Sequence, residues 1–157
     1  MYSIPKQKKY VLFVIGILVI FLDQVTKLYL INYLKQQPGY SVKINEYFNL
    51  VFVWNYGISF GILSYYSYSN YILLCLNLLL IKYLYKYLIA EKEYLVGALI
   101  IGGALGNIID RIYHGGVFDF ISLHYESYYF ATFNVADMAL SLGGFIFTIK
   151  RLYKIKT

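Results

Sequence analysis

Charge is scarce in this 157-residue chain: 14% of its residues are Asp, Glu, Lys or Arg, against about 25% in a typical soluble domain. Only eight are acidic, so each carboxylate calls for a reason. Because 60% of the residues are apolar and 20% aromatic, the shortage argues against a water-soluble protein and points to a membrane protein. Cys75 is the sole cysteine, which excludes an intrachain disulfide, and in the apolar run YILLCLNLLL it reads as a packing residue rather than a nucleophile. The two histidines, His114 and His124, fall in one connection and offer that cysteine no clear partner. Neither a solenoid-type repeat nor a low-complexity tail is found. The net charge of +6 brackets the apolar runs instead of gathering around aromatics on a polar face, which argues against nucleic acid. The 20 tyrosines are spread through runs and connections alike and carry no chemistry as a class.

What is present is long apolar sequence. Four segments, about 10–31, 68–90, 94–113 and 133–153, approach the roughly 20 apolar residues that cross a bilayer. The first follows Lys6, Lys8 and Lys9 and could pass for a signal peptide. No A-x-A-like cleavage site follows, and the apolar pattern resumes after Asp23 and Lys27, so a retained helix is expected. Ten of the 14 basic residues sit on one side of these spans: Lys6, Lys8 and Lys9; Lys82, Lys86 and Lys92; Lys150, Arg151, Lys154 and Lys156. By the positive-inside rule both termini and the 90–94 turn are cytoplasmic, and the connections 32–67 and 114–132 face outward. The expected fold is an all-α integral membrane protein of four transmembrane helices, N-in and C-in, forming one domain over 1–157. A small extracytoplasmic β-rich platform is expected between the first two helices, from the aromatic and β-branched residues around Val42–Trp54.

Once the spans are oriented, the polar residues gather at the outer side. Asp23 and Lys27 are four apart and share a helix face, where either a structural ion pair or an outward-reaching Lys27 accounts for the spacing. Gly97, Gly102, Gly103 and Gly106 make the third span suited to close helix packing, with Gly102 and Gly106 in G-x-x-x-G spacing. That span ends in Asn107-x-x-Asp110-Arg111, and the fourth opens with the same spacing in Asn134-x-x-Asp137. Arg111 beside Asp110 suggests a structural pair that keeps Asp110 ionised. Asp119, between Phe118 and Phe120, suggests a desolvated carboxyl with a raised pKa.

Asp137 and a second aspartate can therefore meet at the outer end of a glycine-packed helix pair. Two aspartates sharing a proton supply a base toward water and an acid toward an amide, without metal, cofactor or nucleophilic side chain. Spacing alone does not rank Asp110 against Asp119 as the partner. Two other readings stay open: Asp137 anchors a helix start, or the carboxylates form a proton or cation relay in a small transporter.

Four blocks in order, FLDQVTKLYL (21–30), NYGISF (55–60), GGALGNIIDRIYHGGVFDFI (102–121) and FNVAD (133–137), span nearly the whole chain, which resembles the lipoprotein signal peptidases (signal peptidase II). The resemblance implies a membrane aspartic endopeptidase of the bacterial cytoplasmic membrane that cleaves diacylglyceryl-modified prolipoproteins just before the lipidated cysteine. It places the catalytic pair on Asp119 and Asp137, with the site at the outer leaflet. Asp23, Lys27, Asn55, Gly57, Asn107, Asp110, Arg111, Asn134 and Ala136 would support the site or contact substrate. Membrane lipids and globomycin-type cyclic peptides are the other implied partners, no nucleic acid or cofactor is implied, and the chain is expected to act as a monomer. Two departures from the family pattern stand out: Ile58 and Ser59 follow Gly57 where N-x-G-A-A-F is usual, and Phe118 replaces the commoner Val.

Overall fold

The computed structural model describes residues 6–57 and 68–155. Ile58 and Ser59, where the chain departs from the family pattern, lie outside the described residues. Four helices form over the four apolar segments: α1 (Lys6–Leu34), α2 (Ser69–Ala90), α3 (Tyr94–His114) and α4 (Val135–Ile155). A helix satisfies its backbone internally, which is what an apolar surrounding demands of a spanning segment. Three of them, over Tyr10–Leu34, Asn70–Ala90 and Tyr94–His114, are long and apolar enough to cross a membrane. The fourth is as long as α3, but Asp137 at its start and Lys150, Arg151 and Lys154 near its end shorten its apolar stretch to 138–149.

Helix α3 is the central one, packed against α1, α4 and α2. Its glycines make that possible. A Cβ at Gly102 would lie 2.9 Å from the Gly16 carbonyl oxygen of α1, and one at Gly103 would lie 2.5 Å from the Ala136 carbonyl oxygen of α4. Helix α2 runs along α3 and barely touches α4. Outward-facing side chains on α1 and α2, such as Phe13, Phe21, Leu76 and Leu79, are exposed, as lipid-facing residues would be.

The β platform is larger than the sequence suggests. Strands β1 (Ser41–Lys43) and β2 (Phe48–Asn55) come from the connection between α1 and α2, but β3 (Val117–Tyr125) and β4 (Tyr128–Tyr129) come from the connection between α3 and α4. Together they form one antiparallel sheet in the order β1-β2-β3-β4. The expected mostly helical chain with a small β platform is found, and the expectation that the platform is confined between the first two helices is corrected. VFDFISLHY is buried on both faces over its first four residues, and its partner lies more than sixty residues earlier, with Val53 opposite Asp119, Trp54 opposite Phe118 and Asn55 opposite Val117.

This pairing decides which way Asp119 points. Successive strand residues face opposite sides. Phe118 and Phe120 turn to a core with Leu30 and Leu34 of α1, joined by Phe52 and Trp54. Asp119 turns to the other face with Val53 and Asn55. The left-handed Gly115 (φ 73°) closes α3 by donating its N–H to the Arg111 carbonyl, a conformation glycine adopts without strain. A single bridge pairing Ile121 with Phe133 then ties β3 to the residue before Asn134.

Candidate active site

The site is built on a buried lysine. Lys27 is 2% exposed, and its ammonium meets Asp23 Oδ2 at 2.8 Å, Asp110 Oδ2 at 2.9 Å and Asn107 Oδ1 at 3.1 Å. That gives an acceptor to each of its three N–H donors. Both aspartates have further partners. Asp23 Oδ1 accepts the Ala136 N–H at 2.8 Å, so a carboxylate of α1 caps the start of α4. Asp110 accepts the Phe118 N–H at 3.1 Å and the Gln24 amide at 2.9 Å. One knot thus fixes α1, α3, the start of β3 and the start of α4 relative to one another. Breaking a buried ion pair by removing one partner costs about 3–5 kcal/mol, so the knot holds the frame on which the other carboxylates are mounted.

Asp110 pairs with Lys27, and the pair expected between Asp110 and Arg111 does not form. Adjacent helix residues point about 100° apart, and Arg111 turns to the other side, where its Nη2 donates to the Gly57 carbonyl at 2.7 Å. Gly57 in turn donates its N–H to Asn55 Oδ1 at 3.1 Å. The guanidinium therefore fastens the connection between α1 and α2 onto α3.

Two carboxylates remain, and both face one cavity. Asp119 is 1% exposed. Its Oδ1 accepts from Asn134 Nδ2 at 2.7 Å, and its Oδ2 from Asn55 Nδ2 at 3.1 Å. Asp137 accepts from Asn107 Nδ2 at 2.8 Å through Oδ1 and from the Asn134 N–H at 3.3 Å through Oδ2. Asn134 also takes the Asp137 N–H on its side-chain oxygen at 2.9 Å. The N-x-x-D spacing at the fourth helix is thus a reciprocal capping box, and its cap residue bridges the two carboxylates. Anchoring the helix and joining Asp119 are compatible roles for Asp137. Burial, and after it the charge of Asp137, push the Asp119 carboxyl up from 3.8 to about 7, against the pull of Asn55, Asn134 and Lys27.

The cavity has a volume of about 1160 Å³ and is walled by β2 and β3 above and by α2, α3 and α4 below. Asn55, Gly57, Asn107, Arg111, Asp119 and Asp137 line its upper part, and Leu80, Ile81, Leu84 and Ile100 its apolar lower part. Nη1 of Arg111 is buried without a hydrogen-bond partner among the described residues. Among those residues no cluster of His, Cys, Asp or Glu could hold a metal ion. Of the expected site residues, Asp23, Lys27 and Asp110 lie in the knot behind the cavity, with Ala136 against it. Asn55, Gly57, Asn107, Arg111, Asp119 and Asp137 meet at its wall, and Asn134, fully buried, bridges the two aspartates from behind it.

A family model for signal peptidase (SPase) II matches residues 15–153. The chain belongs to the signal peptidase II family. It is therefore similar to peptidases in nearly its whole length. The lipoprotein signal peptidase of Rickettsia prowazekii is 45% identical over 131 residues, covering 81% of this chain and 68% of that protein. That of Rickettsia felis is 42% identical over 144 residues, covering 89% and 73%. Two solved bacterial membrane enzymes share the fold. One has a TM-score of 0.79 at 29% identity over 92% of this chain and 88% of that one, the other 0.77 at 27% identity over 90% and 92%.

Some polar residues of the site escape a sequence reading. Gln24 bridges Asp23, Asp110 and the Gly106 carbonyl, Asn70 donates to the Arg111 carbonyl at 3.0 Å, and Asn77 and Ser141 line the cavity. For Asn77 and Ser141 a signal was available, since each is a polar residue inside an apolar run, and such residues face a protein interior or a cavity.

Proposed function

We propose that this chain is an aspartic endopeptidase that removes the signal peptide from diacylglyceryl-modified prolipoproteins by cleaving just before the lipidated cysteine. One observation carries the reading: Asp119 and Asp137 line the same cavity and are bridged by Asn134. All four helices cross the bacterial cytoplasmic membrane, with α4 as the fourth span and both termini inside. The sheet then lies at the outer leaflet, and the chain acts as a monomer. The apolar helix of the signal peptide occupies the lower cavity, and the diacylglyceryl group, held in the lipid, fixes the height at which the peptide meets the carboxylates.

Asp119, with its carboxyl at about 7, holds the shared proton near neutrality, and Asp137 is the base. Asp137 takes a proton from a water placed between them. The oxygen of that water bonds to the carbonyl carbon before the cysteine, and as the C–N bond breaks Asp119 delivers its proton to the departing amine. Asn107 and Asn134 hold the carboxylates in place. Globomycin-type cyclic peptides occupy the same cavity and compete with substrate.

The test is cleavage of a synthetic diacylglyceryl prolipoprotein by purified protein, beside Asp119→Asn and Asp137→Asn, with and without globomycin. Cleavage before the cysteine, lost in both folded variants and blocked by the inhibitor, is the expected result. Normal cleavage by either variant refutes the dyad. Loss confined to Asp137→Asn moves the partner role to Asp110.

A further inference from the structure

The apolar lower cavity contains two polar side chains that nothing in the knot or the dyad uses. Asn77 of α2 and Ser141 of α4 face it from opposite walls, among Leu80, Ile81, Ile100, Ala104 and Met138. Neither makes a hydrogen bond to another described residue. A hydroxyl in an apolar helix usually settles on the carbonyl one turn back. Thr26 does so onto Leu22 and Thr148 onto Gly144, each at 2.8 Å, but Ser141 does not. Asn77 is half-buried and Ser141 exposed, so both side chains are free to reach a chain lying in the groove.

Their height points to what that is. The bond from Asn70 to the Arg111 carbonyl sets α2 against α3, and seven residues further on Asn77 stands level with Ala104, about one turn from Asn107. Ser141 is four residues after Asp137, also one turn away. One turn is about 5.4 Å, and an extended chain advances about 3.3 Å per residue, so the two side chains meet a substrate about two residues before the cleaved bond. A signal peptide that is helical in the lower cavity must become extended to lay its scissile amide between the carboxylates. That frees backbone N–H and C=O groups where no water is available to bond them.

We propose that Asn77 and Ser141 hydrogen-bond the substrate backbone where the signal peptide leaves the helical form, about two residues before the cleaved bond. The proposal rests on the peptidase reading above. An amide and a hydroxyl each offer both a donor and an acceptor, so the pair recognises an unwound backbone and not a particular side chain, which suits a protease that must accept many signal sequences.

The experiment compares wild type, Asn77→Leu, Ser141→Ala and the double variant on two substrates: a synthetic diacylglyceryl prolipoprotein, and the same molecule with an ester in place of the amide two residues before the cleaved bond. The double variant is expected to raise KM about tenfold on the parent substrate, as for the loss of one to two hydrogen bonds, with kcat within about twofold and an unchanged thermal midpoint. Replacing the amide should penalise wild type about fivefold and the double variant hardly at all, and Asn77→Gln should recover part of the KM. An unchanged KM, or an equal ester penalty in wild type and variants, overturns the proposal. If the double variant does not fold, the ester comparison in the single variants decides in the same way. Failure of the wild type to cleave the parent substrate would instead refute the peptidase reading, so the two failures are distinguishable.

Discussion

Gly103 is where a single methyl group should do the most damage. A Cβ built there would lie 2.5 Å from the Ala136 carbonyl oxygen, 3.0 Å from Leu140 Cγ and 3.3 Å from the Leu140 nitrogen. Two of these three are backbone atoms and cannot swing aside as a side-chain tip can. Ordinary contacts are about 3.5–4.0 Å, so Gly103→Ala must push α4 from α3 by roughly 1 Å. The displaced segment is the one that carries Asn134 and Asp137. The 2.8 Å bond from Asn107 to Asp137 would open past the usual range, and the strain of overpacking is about 1–3 kcal/mol. A displacement of about 1 Å at reacting groups lowers activity on the order of 100-fold.

The assay is kcat/KM on the synthetic prolipoprotein, with the thermal midpoint measured in the same micelles. Gly144→Ala is the matched control, since a Cβ there meets nothing within 4 Å and alanine favours a helix by about 1 kcal/mol over glycine. It should be as active as wild type and slightly more stable. A folded Gly103→Ala protein with kcat/KM within threefold of wild type would refute the claim that the α3–α4 separation sets the geometry of the site.

Lys27→Met should destabilise the protein by about 3–5 kcal/mol, because Asp23 and Asp110 would be left buried without their cation, and adding Asp23→Asn should recover part of the loss in thermal midpoint. Asp119 keeps its proton to about pH 7 when folded but gives it up near 3.8 when unfolded, so folding takes up a proton between those values. Its contribution to stability is complete below about pH 4 and is lost as pH rises through about 7, by roughly 4 kcal/mol at most. A pH series of thermal midpoints should show that slope in wild type and a flatter one in Asp119→Asn, and an unchanged slope would show that Asp119 is not the titrating group. Cleavage itself should decline above about pH 7 as Asp119 loses the proton destined for the leaving amine. Globomycin should raise the apparent KM without lowering kcat, and a purely kcat effect would place it outside the cavity.

The helices were legible because apolar length and glycine spacing are local properties. Gly102, Gly103 and Gly106 lie in one short run, and each meets a neighbour that a Cβ would strike. The sheet was half legible. Residues 41–55 carry their β signature within one connection, whereas β3 is recognisable as a strand chiefly through its pairing with β2, a long-range contact that composition does not announce. The missed partner of Arg111 has the opposite cause. Asp110 is its neighbour in sequence, but helical geometry turns the two apart, so adjacency misled where the i, i+4 spacing of Asp23 and Lys27 did not. Asn134 and Asp137 were legible as a pair on one helix face, and only the bridge from Ile121 to Phe133 brings Asp119 against them.

The arrangement of cations and amides also fits the proposed chemistry. An acid–base pair of aspartates needs its carboxylates held firmly, yet a guanidinium or ammonium bonded directly to either would favour the ionised form and erase the difference between them. Both cations of the site are engaged elsewhere: Lys27 with Asp23, Asp110 and Asn107, and Arg111 Nη2 with the Gly57 carbonyl. What touches Asp119 and Asp137 is amide, from Asn55, Asn107 and Asn134. Neutral donors fix position while leaving burial and mutual repulsion to raise one carboxyl toward neutrality. Replacing Asn134 with Asp would bring a third charge against the pair, and replacing it with Lys would hold both ionised. A neutral amide at Asn134 is compatible with the single shared proton that the proposed mechanism requires.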